Sequence, residues 1–436
     1  MGVFELQEIN DTVLPGYRVF DFMVNQPVDH DNPDGPTFRQ RVVLSYRSKD
    51  APTVLATNGY SLQYSGTTTI FGVVRYPYVV LLEPAARFAA NQIEVEHRFY
   101  GSSPAPRGVL DFEHLTIKQS ARDLHRIVQM FKPLLTKPWL STGVSKGGKT
   151  ALIHRSYYPD DVDATVAYVS AATFELGDQR YADFLDRIGS EVCRNTVEAM
   201  QIAILERRDT LNARVADYLS DNYNISLSSE EIDVQLEASA LTLSFQFWQY
   251  FGRDACNDIP APTASPWRII EFIDKIDGLS TWAPESRAPF APYRHQVRTE
   301  LGTPAVPVDH LAGLLKYWAP LTEEDRALHD PSAMRAVADW VATQADQTLL
   351  IYGEDDPWTA GAFTVADRPD NDFLVIPGGT HSADLTQAEK DTENAALQRV
   401  AGWISTPIDT AMTQKGRKED WKQQRRRFRV PGWTIL

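Results

Sequence analysis

Residues 143–147 read Gly-Val-Ser-Lys-Gly, a G-x-S-x-G, and a further glycine follows at 148. The apolar run PWLSTG (138–143) precedes this motif, and the helix-forming stretch KTALIHRSYY follows it. Between a strand and a helix, those glycines permit a sharp turn. The turn lifts the Ser145 hydroxyl clear of the backbone and aims the helix N-terminus at it. A serine hydroxyl attacks carbonyls poorly at neutral pH unless a histidine takes its proton and a carboxylate orients that histidine. In folds that use this turn, the acid and then the histidine follow the serine, each in a loop after a late strand. TLLIYGE (348–354) runs into Asp355-Asp356-Pro357-Trp358, and DFLVIPGG (372–379) runs into Thr380-His381-Ser382. Of nine histidines, only His381 lies in such a late loop. Asp356 is preferred to Asp355 as the acid because the loop turns at the proline that follows it. A tetrahedral intermediate also needs oxyanion donors. The residue after the nucleophile, Lys146, supplies one backbone N–H, and Gly59 or Tyr60 in the loop Thr57-Asn58-Gly59-Tyr60 supplies the other. This set describes acyl transfer by a serine nucleophile and calls for no metal or cofactor.

The elements that would position these residues can be traced along the chain. Tyr17–Val28 and Phe38–Arg47 alternate apolar and polar residues around the turn cluster DHDNPDGP, which reads as an antiparallel hairpin. Short apolar segments follow at 53–59, 92–101, 138–143, 164–171, 348–355 and 372–379, separated in several places by helical periodicity. Residues 116–132 place Ile117, Ala121, Leu124, Ile127, Val128 and Phe131 on one stripe, and Glu389–Ser405 does the same with Ala396, Leu397, Val400 and Trp403. Strand and helix in alternation predict a mainly parallel α/β sheet, and with the serine turn at residues 143–147 the expectation is an α/β-hydrolase fold. The strand rhythm stops between Ala172 and Asp346, which predicts a large helical cap. Residues 1–171 and 347–436 then form the catalytic domain and 172–346 the cap.

The 436 residues are 43% hydrophobic and 23% charged, which excludes disorder and small disulfide scaffolds. The net charge of −15 disfavours nucleic acid and anionic membrane as partners. No apolar run approaches the ~18 residues of a membrane span. Residues 415–429 (KGRKEDWKQQRRRFR) oppose the general charge, with eight Lys/Arg and two Asp/Glu, and are expected to pack or pair against the acidic body, the alternative being a solvated, disordered tail. Cys193 and Cys256 are too few for a thiolate metal site but suffice for one bridge, which spacing alone leaves open.

GVSKGGKTALIHRSYYPDDVDATVAYVSA (143–171), EHRFYGSSPAP (96–106), FQFWQYF (245–251), YGEDDPW (352–358) and GGTHSADL (378–385) together resemble the secreted tripeptidyl aminopeptidases of Streptomyces and relatives, a family of serine peptidases. Lysosomal Pro-X carboxypeptidase and dipeptidyl peptidase II are more distantly similar. The resemblance spans about residues 15–405 and implies Ser145 as nucleophile, Asp356 as acid, His381 as base and a cap that holds the specificity pocket. It also implies secretion, and with it a Cys193–Cys256 disulfide. The implied substrates are peptides with free N-termini, often cut after proline. Capturing an α-ammonium requires carboxylates, for which Glu175, Asp178 and Glu96 are the expectations. A proline pocket requires aromatic walls, for which Trp248 is the expectation. Rival readings are a carboxypeptidase or esterase on the same fold and, outside enzymes, a peptide-binding inactive homologue.

Overall fold

A computed structural model describes residues 2–9, 14–62, 68–70, 73–75, 81–106 and 112–409. The basic segment 415–429 lies outside the described residues. Nine strands form one sheet: β1 (Val3–Ile9), β2 (Arg18–Pro27), β3 (Thr37–Tyr46), β4 (Thr53–Thr57), β7 (Asn91–Val95), β8 (Trp139–Val144), β9 (Ala164–Tyr168), β12 (Thr348–Gly353) and β13 (Asp372–Ile376). Two small two-stranded sheets lie apart from it, β5 (Thr68–Ile70) with β6 (Val73–Arg75), and β10 (Leu176–Asp178) with β11 (Thr303–Pro304). The main sheet runs in the order β1-β2-β3-β7-β4-β8-β9-β12-β13. The first three strands pair antiparallel, β3 meets β7 antiparallel, and every pair from β7 to β13 is parallel. This is an α/β-hydrolase fold.

The hairpin anticipated from alternation is β2 with β3, in continuous register from Arg18↔Tyr46 to Pro27↔Thr37. The edge strand β1 was not expected from the sequence. It is a mostly exposed seven-residue strand, whose apolar residues bury too little surface to signal their partner. The central strands β4, β7, β9 and β12 are buried throughout, as sheets covered on both faces require.

The helices in chain order are α1 (Glu83–Arg87), α2 (Ile117–Phe131), α3 (Lys146–Tyr157), α4 (Gln179–Leu185), α5 (Glu191–Glu206), α6 (Arg208–Tyr223), α7 (Ser229–Tyr250) and α8 (Pro266–Ile276). Two longer helices follow at Ser332–Thr343 and Lys390–Trp403. α2 is capped by the Thr116 hydroxyl, which accepts from Gln119 N, and all six residues of its expected stripe are buried. Between β9 and β12 the chain adds no strand to the main sheet and is mostly helical. Helices α5 to α8 contribute Ile204, Leu236, Phe245, Trp248 and Ile270 to one apolar cluster, which Tyr181 of α4 and Trp282 beyond α8 join. Cys193 in α5 and Cys256, just beyond α7, form a disulfide with 5.5 Å between Cα atoms. It ties α5 to the turn by which α7 returns toward the sheet.

Candidate active site

Ser145 stands between β8 and α3 with φ 57° and ψ −126°, a region that non-glycine residues seldom occupy. The surroundings enforce it. A Cβ on Gly143 would come within 2.4 Å of the Gly147 carbonyl carbon, and one on Gly147 within 2.6 Å of Thr57 O, so only glycine lets the turn close against β4. The Ser145 N–H donates to Tyr168 O at 2.8 Å, and its carbonyl accepts from Lys149 N at 3.0 Å. His381 Nε2 lies 2.8 Å from Ser145 Oγ, and His381 Nδ1 lies 2.7 Å from Asp356 Oδ2. Asp356 is fully buried, and its Oδ1 accepts from Trp358 N at 3.1 Å. With Nδ1–H directed to the carboxylate, the Nε2 lone pair faces the hydroxyl proton.

The neighbouring Asp355 is equally buried but points elsewhere. Its carboxylate accepts from Arg253 N at 2.9 Å and forms a forked ion pair with the Arg253 guanidinium, which also reaches Glu354. The histidine loop is held from the same side, since His381 N donates to Gln249 O at 2.9 Å. The C-terminal end of α7 and the turn after it therefore support both late loops.

On the opposite side, Lys146 folds over the elbow and donates from Nζ to Gly59 O at 2.6 Å, with Tyr60 and Tyr100 rings at 5.3 and 5.1 Å. Burial, together with the nearby Lys149 charge, holds its ammonium well below the usual lysine range. The pair of contacts fixes the Gly59 loop against the elbow. The Lys146 N–H opens α3 and so has no carbonyl partner within the helix. The Tyr60 N–H donates to Asn58 Oδ1 at 2.9 Å, so it is already engaged.

With this geometry in place, comparison with known proteins is informative. The chain matches the PS-10 peptidase S37 family over residues 2–416. It is 34% identical over 402 residues to the prolyl tri/tetrapeptidyl aminopeptidase of Streptomyces mobaraensis, covering 89% of this chain and 80% of that protein. The chain belongs to the PS-10 peptidase S37 family. It is a serine peptidase, a hydrolase whose substrates are peptides. A weaker match, 25% identical over 182 residues, joins 40% of the chain to 34% of a protein named as a serine protease in Caenorhabditis elegans. Among solved structures, a proline iminopeptidase of Mycobacterium smegmatis aligns at 14% identity with a TM-score of 0.42, covering 88% of this chain and 99% of that one.

The cavity at Ser145 is lined by Tyr60, Lys146, Lys149, Val169, Ala171, Gln249, Tyr293 and Trp358. Of the residues expected to bind substrate, none of the four lies in that lining. Trp248 is 1% exposed and packs in the helical core, where a Cβ on Gly189 would strike its ring at 2.2 Å. Glu96 is buried and accepts from Leu62 N and Ser103 Oγ, which braces the loop after β7. Asp178 caps α4 and pairs with Arg180 at 2.7 Å. Glu175 is exposed and sits 3.7 Å from Arg335. Sequence reading passed over Lys149, Gln249, Tyr293 and Trp358. Lys149 and Trp358 sit inside the motifs already singled out. Gln249 is one of two glutamines within the aromatic run FQFWQYF, and the run gives no sign of which one meets the cavity. Among the described residues, no group of three or more His, Cys, Asp or Glu could hold a metal, and no helix is long and apolar enough to cross a membrane.

Proposed function

We propose that this peptidase releases short peptides, tripeptides foremost, from free N-termini through an acyl-enzyme on Ser145. The observation that carries the reading is the hydrogen-bonded chain from Ser145 Oγ through His381 to Asp356, at 2.8 and 2.7 Å, in a member of a serine peptidase family. Ser145 Oγ attacks the scissile carbonyl while His381 Nε2 takes its proton, and buried Asp356 stabilises the imidazolium. The Lys146 N–H and the Gly59 N–H receive the oxyanion. Gly59 is chosen over Tyr60 because the Tyr60 N–H is donated to Asn58. His381 then protonates the leaving amine, and a water activated by the same nitrogen opens the acyl-enzyme.

The helices of 172–346 act as the cap that limits access to this cavity. Release of short N-terminal peptides is supported by the name of the Streptomyces relative, and proline at the cut by that name and by the rings of Tyr60, Tyr293 and Trp358 around the cavity. Of the three expected carboxylates only Glu175 is open to an incoming ammonium, so it is assigned that role ahead of Asp178 and Glu96. The disulfide suits an exported protein, since oxidising compartments preserve such bonds.

The reading is tested with p-nitroanilides of Ala-Pro-type tripeptides, with N-termini free or acetylated. The free form is expected to be cleaved at least about tenfold better in kcat/KM, the scale of one lost ionic contact. Equal cleavage of both forms refutes the aminopeptidase assignment.

A further inference from the structure

The cavity beside Ser145 holds polar groups that the hydrolytic steps above do not use. Lys149 stands one helical turn beyond Ser145 on α3, so its side chain rises on the same face of the helix. It is 7% exposed and lines both this cavity and the pocket behind it, beside His97 and Gln296. Among the described residues its ammonium has no hydrogen-bond or ion-pair partner, whereas Lys146 is committed to Gly59 O. Gln249 is 1% exposed and lines the cavity too, with an Oε1 that no donor reaches among the described residues. Trp358 adds a buried indole N–H that has no acceptor among them.

The Lys149 ammonium, with the Gln249 amide and the Trp358 indole beside it, gives this cavity a polar wall that a ligand can complete. The chemistry of the set is definite. Two donors, one of them cationic, want an acceptor with negative charge, and one acceptor wants an N–H. Among the described residues no carboxylate lines the cavity, so none of them neutralises Lys149 there. A peptide residue with an acidic side chain supplies both needs, a carboxylate for the donors and its own backbone N–H for Gln249.

We propose that Lys149 makes this cavity a subsite for glutamate or aspartate at the substrate position preceding the scissile bond. The aromatic walls hold the methylene stem and also admit proline, which ignores the lysine, so acidic residues form a second class of substrate. Burial pushes the Lys149 ammonium down to about 8, which leaves it mostly charged at neutral pH in the free enzyme. The inference rests on the tripeptidyl reading.

The test uses p-nitroanilides of Ala-Ala-Xaa with free N-termini, where Xaa is Ala, Pro, Gln or Glu. Glu and Gln share a shape, so the ratio of their kcat/KM values isolates the charge. That ratio is expected to be about tenfold at neutral pH, to be retained in Lys149→Arg and to collapse toward one in Lys149→Met. The wild-type enzyme gives a second readout that needs no variant. Because kcat/KM follows ionisation of the free enzyme, the ratio should fall as pH rises through about 8. A wild-type ratio of one or less overturns the subsite, as does a ratio unchanged in Lys149→Met or across that pH range. If the Ala or Pro substrate is cleaved while the ratio is one, only the subsite fails. If none of the four is cleaved, the tripeptidyl reading fails with it.

Discussion

The two sides of the active site are held by different means. The proposed nucleophile is positioned locally: Ser145 sits in a backbone kink forced by Gly143 and Gly147 pressing on the neighbouring turn and on β4, within a few residues of chain. The proposed acid and base are positioned from far away. Asp355 is gripped by Arg253, 102 residues earlier in the chain, and the His381 loop hangs from the carbonyl of Gln249. The difference teaches that the elbow can form from the sheet alone, whereas the histidine loop depends on α7 and the turn beyond it. Adjacent aspartates have divided the work, Asp356 facing the imidazole and Asp355 facing the helical segment.

The largest effect should come from separating those aspartates. Asp356→Asn is expected to lower kcat about 10,000-fold with little change in thermal unfolding, because the imidazole loses its orienting carboxylate. Asp355→Asn should do the reverse, costing about 2 to 3 kcal/mol of stability by weakening the bonds of a buried carboxylate to half-exposed Arg253, with a much smaller loss of turnover. Equal losses of kcat in the two variants, measured beside their melting curves, would erase the distinction.

A comparable loss of stability, without a comparable loss of chemistry, is expected from the disulfide. Replacing Cys193 and Cys256 by serine releases a loop of 63 residues' separation and should destabilise by roughly 4 kcal/mol in the chain-entropy model. Because the bond anchors the segment bearing Arg253, the variant should lose activity on warming before its sheet unfolds. Simultaneous loss of both signals would contradict separate support for the two sides.

The smallest effect concerns a clamp beneath the histidine loop. Glu83 accepts from Leu385 N and from the Tyr168 hydroxyl and pairs with Arg87, and burial with the nearby Asp384 pushes its carboxyl up to about 7. The folded protein therefore holds this proton after the unfolded chain has released it near pH 4.5. Its contribution to stability is complete below that point and declines as pH rises to about 7, by about 2 to 3 kcal/mol. Glu83→Gln should flatten that slope in melting temperatures taken between the two limits. An unchanged slope would remove Glu83 from the account.

Much of this division was legible in the sequence. The elbow showed because its requirement for glycine is local, and β2, β3 and α2 showed because alternation and helical stripes report a buried face directly. The insertion of β7 between β3 and β4 was hidden, since strand order is set by crossover packing that leaves no mark on any one segment. Trp248 misled because an aromatic crowd on a helix signals a core as readily as a pocket, and here α7 turns its Phe245, Phe247 and Trp248 into the core. The acidic residues misled for a related reason: Glu96 and Asp178 are spent on backbone N–H groups, which carboxylates satisfy wherever chains turn. Lys149 and Gln249 escaped notice because what distinguishes them, a side-chain polar atom with no partner among the described residues, is a property of the folded cavity.

The central claim is that His381 and Asp356 activate Ser145 as the nucleophile of this peptidase. Its most direct test is reaction with a fluorophosphonate followed by mass mapping of the labelled peptide. The expected result is one adduct on Ser145, absent from Ser145→Ala and nearly absent from His381→Ala. An adduct on another serine, or undiminished labelling in the His381 variant, would contradict the account.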